Sequence, residues 1–127
     1  MEKVLQEFAR VLKSIHTNSF HRMNTKSKVE YPYLTYTTTV SDNGRNQDMY
    51  ILDIDIFGRG SSALNVVKLE EKLKDALEYR RDLTPDLNLI YSFGSSMEIP
   101  TLVPDLHRRN ITFNVKIDER NKRYGIS

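Results

Sequence analysis

The stretch from Met49 to Tyr79 constrains the fold most, because a strongly alternating run passes through a Gly/Ser turn straight into an amphipathic segment. In Met49-Tyr50-Ile51-Leu52-Asp53-Ile54-Asp55-Ile56-Phe57, a period of two puts Tyr50, Leu52, Ile54 and Ile56 on one face and Met49, Ile51, Asp53, Asp55 and Phe57 on the other. The first face is wholly apolar, so the run predicts a strand with one side in the core. Gly58-Arg59-Gly60 breaks the extended chain, and Ser61 or Ser62 offers a side-chain oxygen to the free N–H groups of a helix starting near Ala63. Ala63, Val66, Leu69, Leu73, Ala76 and Leu77 then recur at the spacing of one buried stripe, with Lys68, Glu70, Lys72, Lys74, Asp75 and Glu78 predicted outward. A strand and a following helix, each one-sided, bury those sides against each other.

The remaining segments are read around this unit. Val4, Leu5, Phe8, Val11, Leu12 and Ile15 predict an amphipathic helix over 2–15, whose stripe docks on the sheet or on another subunit. Residues 16–30 keep no period and are mostly polar, and a connection longer than the usual span of about 4 to 6 residues is either functional or ordered on assembly. Tyr31-Pro32-Tyr33 leads into Leu34-Thr35-Tyr36-Thr37-Thr38-Thr39-Val40, a β-prone run with its proline at the tolerated first position. Asn43-Gly44 between this run and the central strand is a hairpin signal. Arg80 and Arg81 suit the negative end of the second helix, and Pro85 prevents its continuation. A third strand is predicted over Leu87–Phe93 with a turn or bulge at Gly94-Ser95-Ser96. A fourth follows over Ile111–Ile117, after an irregular stretch holding Pro100 and Pro104. Residues 118–127 are charged and predict a frayed tail in the isolated subunit. The expected architecture is a single α+β domain over 1–127: a four-stranded, mostly antiparallel sheet packed by two helices, in the order helix-strand-strand-helix-strand-strand.

Composition narrows the function classes. Lys plus Arg number 19 against 17 Asp plus Glu, and a net charge of +2 does not by itself argue for nucleic acid. The absence of cysteine excludes disulfides and thiolate chemistry and fits a reducing compartment. The first residues lack a signal-type apolar block, and no run approaches the roughly 20 apolar residues of a membrane span, so a soluble chain made inside the cell is expected.

Candidate chemistry is sparse. Asp53 and Asp55 share a strand face, and two close carboxylates divide acid and base roles or hold a metal; the plainer reading is the wetter face of a half-buried strand. His16, His21 and His107 match no metal-ligand spacing. Gly58-Arg59-Gly60-Ser61-Ser62 precedes a helix as phosphate loops do, but lacks their Lys-Ser/Thr ending, and a turn with a cap explains it. No serine, histidine and acid stand in a nucleophile motif, and Asn110-Ile111-Thr112 matters as a glycosylation acceptor only in a secreted chain. His107-Arg108-Arg109 and Arg120-Asn121-Lys122-Arg123-Tyr124 are basic, but Asp105, Asp118 and Glu119 interrupt them, which suits a solvated cluster.

Four stretches together carry a resemblance. They are Tyr31-Pro32-Tyr33-Leu34-Thr35-Tyr36, the strand Tyr50-Ile51-Leu52-Asp53-Ile54-Asp55-Ile56-Phe57, the helix end Leu73-Lys74-Asp75-Ala76-Leu77, and Arg108-Arg109-Asn110-Ile111-Thr112-Phe113-Asn114-Val115. In this order, over about residues 30–117, the chain resembles the small tail-completion (tail terminator) proteins of long-tailed bacteriophages and prophages. The chain departs from that pattern at Phe57, where a larger aromatic is common, and at its Gly-Arg-Gly turn. The resemblance implies a structural virion protein, not an enzyme, with no cofactor or metal. Copies would form a ring, six-fold by analogy, that caps the tail tube and meets the head connector, with genome DNA passing through the lumen without sequence-specific binding. It would be made in the host cytoplasm and reside in the tail or neck of the virion, touching no membrane. Expected interface residues are Arg108, Arg109, Met49, Ile51 and Phe57. The competing readings are a head-tail joining (neck or stopper) protein, a small ligand-binding or hydrolytic domain using Asp53 and Asp55, and a nucleic-acid module with basic residues and stacking aromatics gathered on one face.

Overall fold

The computed structural model describes residues 2–42 and 47–119, so the Asn43-Gly44 turn and all but two residues of the tail expected over 118–127 lie outside the described residues, while Asp118 and Glu119 are in the last strand rather than frayed. Element order is α1 (Glu2–Ile15), β1 (Ser19–His21), β2 (Tyr33–Asp42), β3 (Gln47–Arg59), α2 (Leu64–Leu77), β4 (Arg81–Leu83), β5 (Leu87–Ile99) and β6 (Leu106–Glu119). The strands form one sheet in the order β1-β2-β3-β6-β5-β4. The final strand therefore lies between β3 and β5, antiparallel to both. β2 and β3 make the expected antiparallel pair, with Tyr33 opposite Phe57 at one end and Asp42 opposite Asp48 at the other.

The α+β class and its two helices are present, but the expected four-stranded sheet in the order helix-strand-strand-helix-strand-strand is overturned. The sheet has six strands, is mixed, and curls into a half-barrel. The two extra strands have 3 residues each, too few for a period of two to stand out, and neighbouring backbone places them. β1 runs parallel to β2: Leu34 N–H donates to Asn18 O at 3.1 Å, and Arg22 N–H to Tyr36 O at 2.9 Å. The Asn18 amide donates to the carbonyls of Glu30 (2.6 Å) and Pro32 (3.1 Å), so residues 16–30, expected to be irregular, are stitched to the entry of β2. β4 borders β5, where Tyr91 N–H reaches Arg80 O at 2.8 Å and Arg80 pairs with Asp82 at 3.0 Å. Arg80 and Arg81 thus serve β4 rather than the end of α2, which stops at Leu77 ahead of Tyr79 at φ 64.

Alternation accounts for the core. Tyr50, Leu52, Ile54 and Ile56 of β3, Leu87, Leu89 and Tyr91 of β5 and Ile111, Phe113, Val115 and Ile117 of β6 are all buried beneath the helices. Phe8 of α1 meets the rings of Tyr50 (6.1 Å) and Tyr91 (6.2 Å) edge-on, a geometry that aromatic quadrupoles favour. α2 lies close over β3: Gly58, expected to break the chain into a turn, is instead still in β3 opposite His107, and a Cβ there would overlap Val66 Cγ2, so the glycine lets the helix approach. Ser62 Oγ accepts the Leu64 N–H at 3.1 Å from the residue before the N-cap, whereas the N-cap itself is Ala63, which offers no side-chain cap. Glu70, expected outward, is instead buried and ion-paired with Arg109 at 2.9 Å. β5 bulges between Phe93 and Ser95, as the Gly94-Ser95-Ser96 signal implied, but continues to Ile99. The two prolines are confined to the 100–105 link, so β6 starts at Leu106 rather than Ile111.

Candidate functional site

The face of the sheet turned away from the helices carries the polar and aromatic residues singled out in the sequence. Register puts Tyr33 of β2, Phe57 of β3 and Arg108 of β6 in one row across the strands. The rings of Tyr33 and Phe57 stack at 4.8 Å and 18°, and the Arg108 guanidinium lies 5.3 Å from the centre of Phe57. The row continues sideways through Tyr31, 5.4 Å from Tyr33, over which Arg59 sits at 5.4 Å. Phe20 of β1 meets Tyr33 at 6.3 Å and is covered by Lys13 and Lys26, each at 5.5 Å. A cation over a ring face is drawn to the ring's negative quadrupole, and these contacts gather the rings and cations into one plate at one end of the sheet. A hydrogen bond with Tyr31 and the charge of Asp105 hold the Arg59 guanidinium more firmly protonated than usual. Burial raises the Tyr33 phenol above its ordinary range, an effect that Arg108 opposes.

Asp53 and Asp55 lie beside this plate and are tied together. Asn110 Nδ2 donates to Asp53 Oδ1 at 2.5 Å and to Asp55 Oδ1 at 3.1 Å, while Arg108 Nη2 binds Asp55 Oδ2 at 3.2 Å. A bridging amide and a guanidinium satisfy the pair, and among the described residues no cluster of three or more His, Cys, Asp or Glu is arranged to hold a metal ion. Three hollows of about 360 to 630 Å³ border α1, and none of these three is lined by Asp53 or Asp55.

The other expected residues divide. Met49 and Ile51 are on the same outer face toward its opposite end, each 41% exposed, with Ile90 of β5 two strands away. Arg109 is on the helix side, where it fastens β6 to Glu70 of α2, so the adjacent arginines face opposite ways. His107 shares a hydrogen bond with Gly60 O (2.9 Å), and Gly60 N–H donates to Asp105 O (2.9 Å), so Gly60, just past the end of β3, is pinned to the β5–β6 link and the start of β6. His16 bonds Pro32 O at 2.9 Å, and His21 lies against Tyr36. Tyr31, Tyr33, Phe20 and Arg59 join the plate without belonging to any expected site. Their one sequence signal is the aromatic density around Pro32, which says nothing about which strands bring them together.

The structure does gather basic and aromatic residues on one face, as a nucleic-acid module requires. However, Arg59 and Arg108 are paired with Asp105 and Asp55, and the Tyr33 and Phe57 rings are stacked on each other. Such a plate offers shape and apolar area more than free positive charge.

No protein-family model and no curated protein matches the chain. Among solved structures the fold is similar to a chain of the virion of a native gene transfer agent particle, with a TM-score of 0.67 and 14% identity over 84% of this chain and 84% of that one. At that identity the likeness shows a shared fold.

Proposed function

We propose that the protein is a structural component of a phage-type virion, acting as a tail-completion protein: a ring of identical subunits, six by analogy, that caps the tail tube and meets the head connector. The observation that carries this reading is the fold shared with a virion chain over most of both chains. The resemblance over residues 30–117 and the tied carboxylates of the outer face agree with it. The ring resides in the tail or neck, and genome DNA passes through its lumen without base recognition. Met49, Ile51, Phe57 and Arg108 of the outer face are proposed contacts with the tube, the connector or a neighbouring copy, and Arg109 supports that face from behind. The similar chain belongs to a whole virion, so the same support extends to a head-tail joining protein as the second reading.

Closed rings form from head-to-tail contacts with a fixed rotation. We expect native mass spectrometry across a concentration series to show monomer giving way to one closed oligomer, and the protein to join purified tails that lack their terminal ring. Joining to filled heads instead would favour the neck protein. A chain that stays monomeric at millimolar concentration and joins neither would overturn both.

A further inference from the structure

The two short outermost strands leave half of each neighbouring strand unpaired. β1 borders β2 only from Leu34 to Tyr36, and β4 borders β5 only from Asn88 to Ile90. Among the described residues, Thr37–Asp42 of β2 and Ser92–Ile99 of β5 therefore pair on one side only, with β3 and β6 respectively. A row of unpaired N–H and C=O groups is a template for another chain, and proteins usually blunt it with lysine, proline or a very short edge. Thr37-Thr38-Thr39-Val40 has none of these: it is uncharged and β-branched throughout.

The backbone direction of each edge follows from the bonds already made. Leu34 N–H and Tyr36 C=O point to the β1 side, so the even-numbered residues of β2, including Thr38 and Val40, turn their amides to the open edge. On β5, Ser95, Met97 and Ile99 pair with Thr112, Asn110 and Arg108 of β6 on the outer face; these residues share the parity that turns toward β6, so Ser96 and Glu98 turn to the opposite edge. The side chains of Thr38, Val40, Ser96 and Glu98 all lie on the helix side of the sheet, and β2 and β5 run antiparallel to each other through the β2-β3-β6-β5 order. Two copies in the same orientation can thus join these edges antiparallel with every helix on one surface. The open halves lie at different heights, since β2 Thr37–Asp42 is opposite β3 Asp53–Asp48 whereas β5 Ser92–Ile99 reaches, through β6, β3 Ile51–Phe57. Joined copies are staggered along the strands, as a closed sheet of tilted strands requires.

We propose that the open half of β2 pairs with the open half of β5 of a second copy, making one sheet continuous around the assembly. This rests on the ring reading and names the surface through which the ring closes. Room for the added strand exists: α1 and β1 leave two adjoining hollows along this edge, of about 520 and 630 Å³, that share Leu5 and His21. Charge also matches. Arg22 lines the first hollow beside Thr38, Glu98 is exposed on the β5 edge, and neither has an ion pair among the described residues. Pairing Val40 with Ser96 and Thr38 with Glu98 brings the two charges together on the helix side.

Proline substitutions test this, because each removes an edge donor that the single copy does not use. Val40→Pro and Ser96→Pro should each keep the far-ultraviolet circular dichroism of the parent and lose the ring. Mixed in equal amounts, each supplies the edge the other lacks, so the mixture should give a 1:1 dimer and nothing larger. Where a proline variant does not fold, single Val40→Cys and Ser96→Cys variants replace it: the chain has no cysteine of its own, and a short bismaleimide should cross-link the mixture but neither variant alone. Ring formation by folded proline variants, or cross-linking within Val40→Cys alone, overturns the head-to-tail edge contact while leaving the ring reading standing. Loss of the ring on deleting residues 120–127, with the proline variants still closing it, assigns the contact to that segment instead and equally overturns the edge contact. A parent chain that forms no ring and joins no tails removes both.

Discussion

Tyr91 shows how much of the core is set by single side chains. It is 1% exposed, packed edge-on to Phe8, and its hydroxyl has no hydrogen-bond partner among the described residues. Burial first, and then the charges of Asp82 and Glu7, push its phenol far above the ordinary range. The neutral form is therefore favoured in the folded chain, and the stability it contributes is complete below the unfolded value of about 10 and is lost as pH rises beyond it. Burial raises Tyr33 and Tyr36 in the same direction. We expect the melting temperature to fall above pH 10, and Tyr91→Phe to reduce that fall while leaving stability at neutral pH unchanged or higher, because a buried hydroxyl without a partner costs about 1–3 kcal/mol. An alkaline melting profile of Tyr91→Phe identical to the parent's would remove Tyr91 from this account.

At the scale of elements, α2 and the β3–β6 pair are the most interdependent. Leu73 and Phe113 are fully buried, one on the helix and one on the strand beneath it. Truncating either to alanine deletes buried apolar volume in a region where Gly58 already allows backbone and helix to approach closely. Urea melts should show a loss of about 2–5 kcal/mol for each variant. Two variants that melt like the parent would mean that the helix is not seated on these strands. The Glu70–Arg109 pair, 11% and 24% exposed at the side chains, fixes the rotation of the same helix from its polar flank. Lys74, 4.3 Å from the Phe93 ring, does so further along.

Across the whole molecule, stability and assembly draw on different parts of the sheet. β3 and β6 are central strands paired on both sides, whereas β2 and β5 are each open over half their length. Amide exchange should follow that division: slowest in β3 and β6 of the free protein, and fast over residues 37–42 and 92–99. On assembly both segments should become protected together, since each copy contributes one to each contact. Protection confined to Met49, Ile51 and the outer face, with both edges still exchanging fast, would place subunit contacts on that face instead.

Features that depend on near neighbours along the chain are legible in its residues alone. The period-two run of β3 and the stripe of α2 named Leu52, Ile54, Leu69 and Leu73 as core, and they are buried. The Gly94 signal marked a real bulge, because a single glycine at a fixed place in a strand is a local cue. Features whose partners lie far apart in sequence carry no such local cue. β1 and β4 are strands because β2 and β5 supply their hydrogen bonds, with no pattern of their own to announce them. Arg108 and Arg109 are adjacent, yet one stacks on Phe57 and the other holds Glu70 of α2. Period two assigns them to opposite faces, but the ring and the carboxylate waiting there come from residues 39 or more positions away. Phe20, Tyr31, Tyr33 and Phe57 become one plate only when three strands align in register, and no stretch of the chain encodes that register alone.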